Sequence, residues 1–168
     1  AVLDDGTLAC WGENNYGQLG DNTTTRRNVP TLAQLPDNLT VLDVGVNYHS
    51  TCVVYANGSM GCWGHDHRGR LANGPDQGHT WLPSVINQTS GFVDVEVGAD
   101  HSCALHEEGI VQCWGRSSWG QTGTGTTGNR EEATPVDFTD APFASAFGPA
   151  PASWASDGDL RTLLTHPD

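Results

Sequence analysis

Three copies of Cys-Trp-Gly, at residues 10–12, 62–64 and 113–115, predict an all-β fold: a β-propeller of four-stranded antiparallel blades, present here as part of a ring. The copies stand 52 and 51 residues apart, and their surroundings repeat with them. A turn precedes each copy: Asp4-Asp5-Gly6, Ala56-Asn57-Gly58 and Glu107-Glu108-Gly109. A small-residue motif follows each: Gly17-Gln18-Leu19-Gly20, Gly69-Arg70-Leu71-Ala72 and Gly120-Gln121-Thr122-Gly123. With 21 Gly and 9 Pro among 168 residues, the composition favours turns and short strands over long helices.

The elements follow in order. Residues 1–40 hold the end of one blade and the start of the next. Residues 41–91 form one repeat, opened by the alternating stretch Val41-Leu42-Asp43-Val44-Gly45. Residues 92–141 form another, opened by Val93-Asp94-Val95-Glu96-Val97-Gly98. Alternation of apolar and polar residues is the mark of a strand. Residues 142–168 form a degenerate repeat, with Ser156-Asp157-Gly158 at the turn and Ser153 and Thr162 in place of cysteines. The expectation is about three blades plus a degenerate fourth.

Cys52 and Cys62 are equidistant from Asn57, and Cys103 and Cys113 from Glu108. Residues equidistant from a hairpin turn face each other, with Cα atoms about 4.5 Å apart at a non-hydrogen-bonded pair, within reach of a disulfide. Two disulfides are therefore expected, and with them an oxidising compartment, extracellular or at the cell surface. By the same symmetry about Asp5, the partner of Cys10 falls just before Ala1, so the chain is expected to be part of a longer protein. The rival chemistry is a zinc site of His49, Cys52, Cys62 and His65. The next repeat has Gly115-Arg116 where the second His would stand, so no metal and no cofactor is expected.

The formal net charge of -13 repels phosphate backbones and argues against nucleic acid as a partner. No apolar run of about 18 residues is present, so no membrane insertion is expected in this segment. Asn22, Asn38, Asn57 and Asn87 head Asn-x-Ser/Thr sequons and are candidate glycosylation sites. Trp11, Trp63 and Trp114 recur in register and are expected between blades. Trp81, Trp119 and Trp154 do not, and Trp81 and Trp119 are candidates for a binding surface. His49-Ser50 and His101-Ser102 read as structural, each His holding a neighbouring backbone group. The His stands three residues before Cys52 but two before Cys103, which implies a bulge in the second repeat. No acid, base and nucleophile converge, so no enzyme activity is expected.

The string His101-Ser102-Cys103-Ala104-Leu105, Gly109, Cys113-Trp114-Gly115 and Trp119-Gly120-Gln121-Thr122-Gly123, with Asn15-Tyr16-Gly17-Gln18-Leu19-Gly20 at the first repeat, resembles the regulator-of-chromosome-condensation repeat family. The resemblance implies a seven-bladed ring of which this chain is roughly half, its edges meeting the rest of the propeller or other protein chains. The cysteine-flanked version looks like an extracellular, disulfide-containing branch. The resulting expectation is a non-catalytic extracellular structural or protein-binding module. The alternatives are a secreted enzyme inhibitor or receptor-like binder, and a guanine-nucleotide exchange factor for a small GTPase.

Overall fold

The structure is a computed structural model that describes residues 1–75, 78–86 and 90–138. The degenerate repeat at 142–168, Trp154 and the Asn87 sequon lie outside the described residues. The described strands are β1 (Ala9–Gly12), β2 (Arg27–Leu32), β3 (Val41–Val46), β4 (Ser50–Tyr55), β5 (Met60–Gly64), β6 (Phe92–Val97), β7 (His101–His106), β8 (Val111–Gly115) and β9 (Arg130–Pro135). They pair antiparallel as three sheets, β1-β2, β3-β4-β5 and β6-β7-β8-β9, which are the first, second and third blades of a partial propeller. No described helix is long and apolar enough to cross a membrane.

The third blade has the expected four strands. The second has three plus a remnant. Segment 78–86 runs beside β5, but its backbone bonds to β5 lie near its ends, where Thr80 and Gly64 exchange hydrogen bonds and the Ile86 N–H donates to the Met60 carbonyl. Pro83 lies between these contacts, and a proline has no N–H to offer a ladder.

β4 explains how the blades stack. All six of its residues are buried. Successive side chains point to opposite faces. Val53 and Tyr55 join Leu8, Leu19 and Trp63 against the first blade. Cys52 and Val54 join Phe92, Val95, Ala104 and Trp114 against the third. A strand covered on both faces must be apolar on both, which is why Cys-Val-Val-Tyr runs without a polar break. Ser50 and Thr51 are the polar exceptions: the Ser50 hydroxyl donates to Asn47 Oδ1 at 3.1 Å and the Thr51 hydroxyl to the Gln18 carbonyl at 2.8 Å.

The β4-β5 and β7-β8 hairpins close over Gly58 and Gly109, at φ 78° and 81°. The left-handed conformation suits a residue without Cβ. Between blades the innermost strands touch. The Asp43 carboxylate of β3 accepts from the Val95 N–H of β6 at 2.9 Å, and Asn47 Nδ2 donates to the Gly98 carbonyl at 2.5 Å.

The second repeat does hold the expected irregularity, but not in its Cys strands. β4 pairs with β5 without a break from Ser50↔Gly64 to Val54↔Met60, and β7 pairs with β8 likewise from His101↔Gly115. The register shifts lie on the other side, between Val41 and Asp43 and between Phe92 and Asp94. His101 is therefore the counterpart of Ser50, and Asp100 of His49. Nor does His49 hold its neighbours. Asn47 Oδ1 does, accepting from the N–H groups of His49 and Ser50, both at 2.8 Å.

Candidate interaction surface

Loops 13–26, 65–75 and 116–129 leave the sheets at one end, beyond Gly12, Gly64 and Gly115. The tight connections 47–49 and 98–100 share that end. All the arginines among the described residues lie here: Arg26, Arg27, Arg68, Arg70, Arg116 and Arg130. The turns at the opposite end carry Asp4, Asp5, Asp37, Glu107 and Glu108. The strong negative charge is thus unevenly spread, and the loop end holds the cations.

A buried polar residue stands three positions after each Trp, and in the first and third loops it anchors the loop; the sequence reading missed it. Asn14, Asp66 and Ser117 are 0%, 3% and 0% exposed. Asn14 Nδ2 donates to Asp21 Oδ1 at 3.0 Å while its Oδ1 accepts from the Leu19 N–H at 3.0 Å. Asp21 in turn holds Arg27 at 2.6 Å. Ser117 Oγ accepts from the Thr122 N–H at 3.3 Å and the Thr122 hydroxyl at 2.8 Å. Recurrence of a polar residue at one register position was the available signal, but the residue types differ.

The repeated tryptophans lock each loop to the next blade. Trp63 Nε1 donates to the Gln18 carbonyl at 3.0 Å, and Trp114 Nε1 to the Arg70 carbonyl at 2.9 Å. Trp63 and Trp114 are fully buried, as expected for residues between blades. Trp11 has the same place in its repeat but is 53% exposed.

The two blade junctions are furnished differently. At the second, Arg70 and Arg116 converge on Asp100, at 2.6 and 3.1 Å. Burial raises the Asp100 carboxyl, but the Arg116 hydrogen bond and the charges of Arg70, Arg116 and Arg68 hold it below its ordinary value. Arg116 also lies 5.0 Å from the ring centre of Trp119, which is 81% exposed. At the first junction the corresponding places hold aromatic rings. Tyr16 of the first blade lies 4.4 Å from His65 of the second, and 5.2 and 5.3 Å from His49 and His79. Burial, then the charges of Arg70 and the neighbouring imidazoles, lower the His65 pKa to about 4.

The other candidate residues separate. Trp81 and Trp119 lie at different junctions. Trp81 is half-exposed, and its backbone and ring pack so closely on Gly17 that a Cβ there would come within 2.6 Å of the indole. Cys52 and Cys62 face each other with Cα atoms 4.1 Å apart and are joined as a disulfide, as are Cys103 and Cys113. Cys10 is an unpaired, buried cysteine whose thiol pKa is raised by burial. The rival zinc set is split. His49 and His65 are neighbours across β4 and β5, while both cysteines turn into the hairpin and bond each other. Asn22 and Asn38 are exposed at φ 59° and 63°, a left-handed backbone that Asn tolerates better than most residues. Asn57 Oδ1 accepts from the Ser59 N–H and hydroxyl at 3.0 and 2.7 Å, which shapes the turn. Local backbone geometry thus accounts for these asparagines.

The description "Regulator of chromosome condensation (RCC1) repeat" matches residues 5–54 and 57–105, and a second description of the same repeat matches 92–121. Each of the first two matches begins in a hairpin of one blade and ends in β4 or β7 of the next, so one sequence repeat bridges two blades. The mouse E3 ubiquitin-protein ligase HERC2 is 32% identical over 99% of this chain, which spans 4% of that protein. The yeast (Saccharomyces cerevisiae) guanine nucleotide exchange factor SRM1 is 24% identical over 68% of this chain, which spans 27% of it. The crystal structure of Prp20p from Saccharomyces cerevisiae, described with its binding to Gsp1p and histones, superposes with a TM-score of 0.76 at 23% identity, covering 84% of this chain and 36% of that one.

These relatives overturn the expected extracellular or cell-surface location, because they are nuclear or cytosolic proteins. That expectation rested on opposed cysteines. Strand register places two such cysteines face to face whatever the redox state of the compartment, so the spacing carries no address. The repeat matches, the blade architecture and the superposition agree: the chain belongs to the family of regulator of chromosome condensation (RCC1) repeat proteins.

Proposed function

We propose that this chain is the half-ring of a non-catalytic, protein-binding propeller, and that its loop end makes the contact. One observation carries the reading. Trp119 is 81% exposed and is held from below by Arg116, which Asp100 in turn fixes to Arg70. An exposed aromatic on a pre-ordered arginine support is the composition of a binding hot spot. The similarity to the ligase covers 4% of it, so ligase activity is not carried over. The test compares Trp119→Ala with the parent chain by quantitative affinity mass spectrometry and then by titration of the captured protein. The expected result is a partner whose affinity falls at least about ten-fold, the scale of a hot-spot loss. Equal affinity for both proteins would overturn the reading.

A second reading is favoured by the likeness to the yeast exchange factor: a contribution to nucleotide exchange on a small GTPase. It predicts faster nucleotide release from one member of a GTPase panel when the chain is added. Unchanged release across the panel would reject it.

A further inference from the structure

We propose that His49, His65, His67 and His79 form a binding site for a borderline divalent transition-metal ion such as Zn2+. His65 is the hub. Its ring centre lies 4.7 Å from that of His79, 5.6 Å from His49 and 5.7 Å from His67. A metal–nitrogen bond of about 2.0–2.1 Å with tetrahedral angles puts two ligating imidazole centres about 5 Å apart. The three separations bracket that value. His65 Nδ1 is buried without a hydrogen-bond partner, an unusual cost that a bound ion would remove.

The backbone sets this arrangement. His49 and His65 follow the last ladder pair of β4 and β5, Ser50↔Gly64, and the His65 N–H donates to the His49 carbonyl at 2.9 Å. His67 lies in the loop that follows. His79 is brought back beside it by the Thr80 bridge to Gly64. His67 and His79 are exposed, so an ion can enter from solvent. Among the described residues no three His, Cys, Asp or Glu side chains already stand in coordinating positions, so ligation requires the rings to turn on their side-chain bonds. The exposed rings of His67 and His79 do this readily, while His49 and His65 are half-buried and supply the fixed side of the site. The nearby Arg70 is neutralised by Asp100 at 2.6 Å. Imidazole donors without thiolate or carboxylate suit zinc, copper or nickel rather than calcium or magnesium.

The test is a Zn2+ titration of the whole chain against a chromophoric chelator, in a Cys10→Ser background so that the free thiol does not contribute. The expected result is one ion per chain, with affinity falling at least about ten-fold in both His65→Asn and His79→Asn. His106→Asn, at the opposite end, is the control and should bind as the parent does. Backbone NMR spectra establish that each variant is folded, and the His65 imidazole resonances should shift on adding Zn2+ to the parent. No binding below about 100 µM, or binding that survives both variants, would overturn the site.

Discussion

The indole of Trp114 donates its Nε1–H to the backbone carbonyl of Arg70, 44 residues earlier, at 2.9 Å. Trp63 does the same to Gln18, 45 residues earlier, at 3.0 Å. The repeated tryptophan is therefore a clamp from one blade onto the loop of the blade before. Trp114→Phe keeps most of the apolar bulk and leaves the Arg70 carbonyl buried and unpaired. The expected loss is about 1–3 kcal/mol, read as a lower midpoint in urea with an unchanged slope. Trp11→Phe should change the midpoint little, because Trp11 is half-exposed.

Gly45 tests the spacing of the blades. A Cβ at this position would stand 2.7 Å from the Val95 carbonyl and 2.8 Å from Val97 Cγ2, both on the neighbouring blade. The obstacle includes backbone, which cannot swing aside. Gly45→Ala should destabilise the chain by about 1–3 kcal/mol, the usual cost of overpacking. Gly109→Ala meets nothing within 4 Å, and its penalty should come from φ 81° alone. Comparing the two by thermal melting separates close approach from backbone strain.

Asp100 links stability to pH. Its pKa in the folded chain lies below the ordinary value of 3.8. A depressed carboxyl stabilises the fold above its unfolded pKa, and that contribution is lost as pH falls through the folded value. Asp100→Asn should lower stability at neutral pH and narrow the difference between pH 7 and about pH 3. The effect is modest, since the side chain is a third exposed and solvent screens it. Urea midpoints at the two pH values check this.

The Cys103–Cys113 bond spans ten residues of separation. Closing a loop of that size stabilises by about 3 kcal/mol through the unfolded state. Cys103→Ala with Cys113→Ala should lose that amount when compared under non-reducing conditions, and reductant should cost the parent as much. Equal stability with and without reductant would show that the pair stands as two thiols in solution.

Much of the fold was legible because a propeller repeats. Gly58 and Gly109 marked the hairpins, and symmetry about the turns placed Cys52 opposite Cys62 and Cys103 opposite Cys113. The interblade role of Trp63 and Trp114 followed from their register. The shared letters His-Ser misled, because a one-residue difference puts His49 in a loop and His101 on a strand. Only the ladder, from Ser50↔Gly64, reveals that Asp100 corresponds to His49. The loop anchors at Asn14 and Ser117 escaped notice because different residue types share one role. The Asp100 ion network and the imidazole cluster join residues far apart in sequence, and no local pattern encodes them. Cellular location was misread because opposed cysteines are a matter of register, not of compartment.

Tryptophan clamps hold the blades together and leave the aromatic of the loop end free. Hydrogen exchange of the indole N–H groups, followed by NMR, tests this most directly. Trp63 and Trp114 should exchange slowly, as buried donors to Gln18 and Arg70, while Trp119 should exchange at the rate of an exposed indole. Fast exchange at Trp63 and Trp114, or protection at Trp119 in the isolated chain, would contradict the account.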